Sequence, residues 1–335
     1  MNSNVVRTLA IGAAALVLEM GCQRRNEVVV YTSVDQVVAE PILDGFEKQF
    51  GVRVRAVFDT EETKSTGVLN RLIAEGGRPQ ADVFWSGDPV RPFLLVNRGF
   101  VEAYRSPNAH DIPPSFKAAN GEWSGFAARA RVLIVNKNLV PSDPPKSIRD
   151  LIHVRWKDKA AIANPLFGTT TMHVAALFAV WGDEKTRAFL NALRANGVRV
   201  ASSNGEVKRL VSGGEVAFGL TDTDDADEAL KEGAPIQVVY PDQDELGTLL
   251  MPTTVLLMKG DPHPDLGKKL IDYLLTRDVE RGLAESAAHL PVRAGIPTPA
   301  DVRAATSLRF MDVDYGKVGA ELERIQPWLR EWVGL

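Results

Sequence analysis

Residues 27–36 read EVVVYTSVDQ. Val28, Val29 and Val30 are β-branched and run into Tyr31 and Thr32, the kind of short apolar run that forms a buried strand. Ser33-Val34-Asp35 breaks the run, and Ser33 or Asp35 can cap the next helix. Val38, Ile42, Phe46 and Phe50 then recur at helical spacing with Leu43 beside them, giving one apolar stripe that Gly51 stops. Residues 52–58 (VRVRAVF) alternate with period two, a second strand. A polar loop from Asp59 through Thr66 to Gly67 precedes a helix faced by Val68, Leu69, Leu72 and Ile73 and ended by Gly76-Gly77. Residues 81–86 (ADVFWS) make a third strand, which opens into Gly87-Asp88-Pro89. Pro89 suits the first turn of another helix. Strand, helix, strand, helix, strand is the order of a parallel α/β sheet built from βαβ units. Ser33 and Asp35, the loop to Thr66, and Ser86 with Asp88 all follow carboxyl ends of strands. They share one rim, where such sheets bind ligands.

A second alternating set lies further on. Ala160 to Ala163 reads as a strand, and Thr170 to Trp181 and Glu184 to Asn196 as helices. Val198 to Ala201 is a strand, and Asn204 caps a helix carrying Val207, Leu210 and Val211. Val216 to Leu220 is a buried strand ending in Thr221-Asp222-Thr223-Asp224-Asp225, after which Ala226 to Lys231 is helical with Gly233 as its stop. One of these Asp or Thr residues serves as a cap. Capping does not account for Asp222, Asp224 and Asp225 together, because three close carboxylates repel unless something positive sits beside them. Upstream, residues 164–171 (NPLFGTTT) open a helix. Gly168 allows close backbone approach, and Thr169 and Thr170 bring hydroxyls to free amides, a natural anion site; simple capping is the plain alternative. Arg129 and Arg131 add charge there or form an interdomain salt bridge. The tail from Tyr315, with Val318, Leu322, Ile325, Trp328 and Trp332, reads as packing.

Composition narrows the function. The formal net charge is −4 and no long basic run occurs, which argues against a nucleic-acid surface. Residues 1–21 read as an export signal, with Arg7 ahead of an apolar run, Leu9 to Leu18, too short to span a bilayer comfortably. Cys22 is the single cysteine, so no internal disulfide can form. Its place after Gly21 resembles a bacterial lipoprotein signal, which implies lipidation at Cys22 and a membrane anchor. Glu19 stands where such a signal usually has an aliphatic residue. Catalytic motifs are lacking. His110, His153, His173, His263 and His289 are scattered with no H-E-x-x-H pair, and no G-x-S-x-G occurs. Thr63-Lys64-Ser65-Thr66 lacks the spaced glycines of a nucleotide-binding loop. A binding protein, not an enzyme, is expected.

The motifs VVVYTSVDQ, KQFGVRV and TGVLNRLIAEGGRPQADVFWSGD resemble the first lobe of the periplasmic solute-binding proteins of ABC importers, in the subgroup of ferric-ion-binding proteins. The likeness continues through Asn164-Pro165, Gly168-Thr169-Thr170, Gly219 to Asp225 and GDPHPDLGKKLIDYLLTRDVERGLAE, covering nearly all of the chain after the signal. It implies an α/β fold of two lobes joined by two crossing hinge strands, placed at residues 125–135 and 249–259. Lobe one is then 27–127 plus 256–285, and lobe two 128–255 plus 286–335. It further implies a monomer that closes on its ligand and serves a permease and ATPase; a sensor feeding a receptor is the alternative. The family's iron ligands are a histidine, a glutamate and two adjacent tyrosines. Asp35 stands near the first position, Asp88 near the second, and Asp224-Asp225 at the tyrosine pair. Every side chain is changed, yet each place carries a carboxylate, a hard oxygen donor for a hard cation. The cargo implied is Fe3+ with phosphate or carbonate, the anion lying on Gly168, Thr169 and Thr170 near Asn204 and Asp222. A polyamine held by the carboxylates, or a phosphorylated or phosphonate solute held with Ser33, Thr66 and Ser86, are the other classes.

Overall fold

The computed structural model describes residues 26–59, 67–300 and 302–335. The signal segment, Cys22 and Thr66 lie outside the described residues.

β1 (Glu27–Thr32) is buried along its whole length, as its β-branched run requires. α1 (Gln36–Phe50) comes next, turning Ala39, Leu43 and Phe46 inward, and Gly51 at φ 63 closes it with an N–H bond to the Glu47 carbonyl. β2 (Arg53–Phe58), α2 (Gly67–Ala74) and β3 (Val83–Ser86) complete the first unit. β1 lies between β2 and β3, parallel to both. The next helix, α3 (Pro92–Asn97), starts on Pro92, not Pro89. The Asp88 carboxylate binds the amides of Val90 and Arg91, so a tight turn forms before the helix can begin. β4 (Val101–Glu102) leads toward the first crossing strand.

That strand, β5 (Ser124–Asn136), is thirteen residues long and almost wholly buried. Its first half pairs with β10 and its second half with β8 and β9. Lobe two contains β6 (Ala160–Ala163), α4 (Gly168–Trp181), α5 (Asp183–Ala195), β7 (Arg199–Ala201), α6 (Asn204–Ser212), β8 (Phe218–Asp222), α7 (Thr223–Lys231) and β9 (Ile236–Val239). β10 (Leu250–Met258) crosses back, and α8 (Pro264–Leu274) and α9 (Arg277–Ala287) cover lobe one. Among the described residues the strand order is β2-β1-β3-β10-β5-β8-β6-β7, with β4 on β10 and β9 on β5. The ladder is continuous because the two crossing strands pair with each other. Its halves are the sheets of two lobes, and the crossings fall where the sequence places them.

The tail splits its contacts. α10 (Tyr315–Arg324) lies between α4 of lobe two and the Val90–Phe93 stretch of lobe one, and α11 (Gln326–Val333) docks on lobe two, with Trp328 edge-on to Phe178 at 5.8 Å. Residues 289–293, assigned from the sequence to lobe two, instead bind the hinge and lobe one. Leu290 exchanges backbone hydrogen bonds with Ala128, and Arg293 donates to the Leu275 carbonyl. Among the described residues no helix is long and apolar enough to cross a membrane.

Candidate functional site

The antiparallel register of β5 and β8 sets Arg131 directly across from Asp222. Both are buried, and Arg131 Nη1 lies 2.5 Å from Asp222 Oδ1. The start of α4 closes over the pair. Thr169 Oγ1 donates to Asp222 Oδ2 at 2.8 Å and accepts from Arg131 at 3.0 Å, while Thr170 Oγ1 accepts from Arg131 Nη2 at 3.1 Å. Asn204 donates to Thr169 Oγ1 at 2.8 Å and to Asp222 Oδ2 at 3.2 Å. Asn204 is free to do so because Ser203, not Asn204, caps α6 by accepting from the Glu206 amide. Burial pushes the Asp222 carboxyl up, but Arg131 and Arg129 outweigh it and hold it below the usual carboxylate range. Asp222 is therefore the best-satisfied carboxylate of the three and makes no helix cap.

Arg129 joins the lobes. Its Nη1 is 3.3 Å from Asp224 Oδ2 and 3.5 Å from Asp222 Oδ2, and its Nη2 donates to the Gly87 carbonyl at 2.9 Å on the lobe-one rim. Burial works against the Arg129 charge, and Asp224, Asp222 and Asp35 more than offset it. Asp35 thus lies near enough to Arg129 for its charge to act there. His289 sits beside Arg129, held neutral at about 3 by burial and the guanidinium. His173, behind Arg131, is likewise pushed down to about 3 by burial and then by that arginine. These two of the five scattered histidines flank the arginine pair. For His173 a signal was available: it follows Thr169 and Thr170 by four and three positions, the spacing of one helix face.

Asp224 and Asp225 do not sit on a loop. α7 begins at Thr223, earlier than the expected Ala226, and both carboxylates occupy its first turn. The positive end of the helix dipole offsets part of their repulsion there. Thr221 Oγ1 donates to Asp225 at 2.8 Å, while Asp224 Oδ1 is buried with no hydrogen-bond partner. Burial, with Asp222 and Asp35, raises the Asp224 carboxyl despite Arg129. Burial, then Asp224 and Asp222, pushes Asp225 up to about 7. One oxygen from each of Asp222, Asp224 and Asp225 can be chosen so that all lie within 4.8 Å of one another.

Not every expected residue joins this cluster. Asp88 is buried and pairs with Arg91 at 2.8 Å, so its oxygens serve the β3–α3 turn instead of the cleft. Ser33 Oγ accepts from the Gly87 amide, and Ser86 Oγ accepts from the Asp88 amide; both are buried and hold the rim in shape. Gly168 opens α4 at φ 60, a conformation other residues rarely adopt, and no side chain caps that helix. Its first-turn amides keep their capacity for an anion.

Two α/β lobes, crossed by two strands and bridged by one arginine over a polar cleft, define a clamshell solute-binding protein. The chain belongs to the bacterial extracellular solute-binding protein family, whose model matches residues 42–309. It is 25% identical over 310 residues to iron uptake protein A1 of Synechocystis, covering 89% of this chain and 84% of that one. It is 27% identical over 294 residues to a putative 2-aminoethylphosphonate-binding periplasmic protein of Salmonella typhi, covering 86% and 80%. The structure of apo ferric ion-binding protein A from Pasteurella haemolytica superposes with a TM-score of 0.82 at 26% identity, covering 92% of this chain and 98% of that one.

Proposed function

We propose that this protein is the extracytoplasmic binding component of an ABC importer, and that its cargo is a ferric ion taken up with a small oxyanion, phosphate or carbonate. The observation that carries the reading is the crowding of Asp222, Asp224 and Asp225, with Asp35 adding to their field. Arg129 alone does not neutralise them, since Asp224 and Asp225 hold their protons above the usual range. A hard trivalent cation answers that excess of negative charge. It displaces the protons of Asp224 and Asp225 and competes with Arg129 for Asp224. The freed guanidinium and the uncapped amides of α4 then receive the anion. Cargo that touches both lobes favours the closed state by differential contact. The named iron-binding relatives support this reading, and catalysis has no part in it.

An aminoalkylphosphonate is the second reading. Arg129, Arg131, Thr169 and Thr170 concentrate anion-binding groups beside carboxylates that suit an ammonium. The two readings differ in protons. Below about pH 7 Asp225 carries a proton that a ferric ion must expel. Loading with ferric nitrilotriacetate in phosphate buffer should release more protons at pH 6 than at pH 8, and affinity should rise with pH across that range. The Asp225→Asn variant should lose the difference. Proton release that is equal at both pH values would count against carboxylate ligation.

Export with a lipid anchor at Cys22 completes the proposal. Several acyl chains on one cysteine hold a protein firmly, where one chain would not. Cys22→Ser should move the protein from the membrane fraction to the soluble one. Wild-type protein that is already soluble after processing would overturn the anchor.

A further inference from the structure

Halfway along β5 the ladder to β10 slips. Phe126 faces Thr253 and Ala128 faces Pro252, so Ala127 has no opposite residue. The cause is local, since Pro252 has no N–H to give to a ladder. Ala127 is fully buried and lies at φ 43, a left-handed conformation that a Cβ disfavours. Its amide is received by Glu280 Oε1 of α9 at 3.3 Å, and the same oxygen accepts from the Val292 amide at 2.6 Å. Glu280 Oε2 lies 2.9 Å from Arg293 Nε, and Arg293 in turn donates to the Leu275 carbonyl at 2.6 Å and lies 3.4 Å from Asp111. Ala128 exchanges two backbone bonds with Leu290, at 2.8 and 2.6 Å. A buried ion pair and the stretch 290–293 thus grip one strained residue from the lobe-one side. Two and four positions later on the same strand stand Arg129 and Arg131. Packing alone would be served as well by apolar side chains, because burying two charges costs their hydration.

We propose that Ala127 is the pivot about which the two lobes turn and that Glu280 is the positioning residue that holds it in the arrangement seen here. A bulge bends its strand and re-aims the side chains beyond it. Rotation at Ala127 therefore turns Arg129 and the rest of lobe two against the gripped side. The slip at Pro252/Thr253 lets β10 yield at the same level. Glu280 can release the Ala127 amide without being stranded, since it keeps Val292 and Arg293. The carboxylate therefore stays paired while the strand turns.

The test uses ligand-free protein, so it does not depend on the identity of the cargo. Spin labels at Val37→Cys and Val154→Cys, both well exposed, in a Cys22→Ser background report the inter-lobe distance distribution, and small-angle scattering reports overall opening. Ala127→Gly removes the strain from the positive-φ conformer and should raise the population with the inter-lobe distance seen here about fivefold. Glu280→Gln should lower that population and change the scattering radius. A Glu280 that is merely structural would lower the melting temperature and leave the distance distribution alone, which would overturn its role. If Glu280→Gln does not fold, Ala127→Gly decides by itself. An unchanged distribution in Ala127→Gly would overturn the pivot.

Discussion

Arg131→Met should lower the free energy of unfolding by about 3–5 kcal/mol, because it leaves Asp222 charged, buried and short of its main partner. Asp222→Ala should cost a similar amount by stranding Arg131, which is fully buried. The double variant Arg131→Met/Asp222→Ala should cost far less than the sum, since neither member of the pair is left buried without the other. Denaturant unfolding followed by circular dichroism checks all three. Costs that simply add would show that the pair is not one unit. The pH dependence has a defined sign. The folded-state pKa of Asp222 is depressed, so its contribution is present above about pH 4 and fades only in stronger acid. His173 is neutral when folded, with its value pushed down to about 3. On unfolding it takes up a proton below roughly pH 6.5, so its contribution is lost as pH falls from there.

Asp224→Asn and Asp225→Asn should each weaken ferric binding at pH 8 by at least about 100-fold, since each removes a charged oxygen donor from a site that depends on charge. They should leave the ligand-free protein folded. Asp225→Asn should make it more stable at pH 8, on the order of 2 kcal/mol. The sign comes from the direction of the shift: Asp225 is raised to about 7, so ionising it in the folded state costs energy. Wild type loses stability as pH rises through that value, while at pH 4 the variant and wild type should match. Calorimetric titration and thermal melts at the two pH values measure both effects. An aminoalkylphosphonate cargo would respond differently, since neutralising one carboxylate takes an ion-pair partner from its ammonium and a repelling neighbour from its phosphonate, and the two effects offset.

The hinge was legible because two long extended stretches, residues 125–135 and 249–259, the second broken by Pro252, stood where the family resemblance puts its crossing strands. The first lobe was legible because period and punctuation agreed at every element from Glu27 to Ser86. Differences arose at the turns, where side chains compete for the same amides. Asp88 takes the amides of its own turn and so delays the helix from Pro89 to Pro92. Ser203 outcompetes Asn204 for the cap of α6, which frees Asn204 for the site. α7 starts early enough that Thr223 accepts from the Ala130 amide of β5, a contact between residues ninety-three positions apart that no local pattern encodes. The pairing of Arg131 with Asp222 is of the same kind. The sequence shows two arginines and three aspartates, but only the β5–β8 register decides which of them meet.

On the proposed reading the carboxylate cluster takes a hard cation together with an anion. Native mass spectrometry of protein purified from its own extracytoplasmic compartment, without refolding, tests it most directly. A mass increment of one iron plus one phosphate or carbonate is expected, lost in Asp224→Asn and Asp225→Asn, with no tyrosinate-to-iron colour because no tyrosine stands in residues 218–228. A co-purified organic phosphate or phosphonate that both variants retain would contradict it.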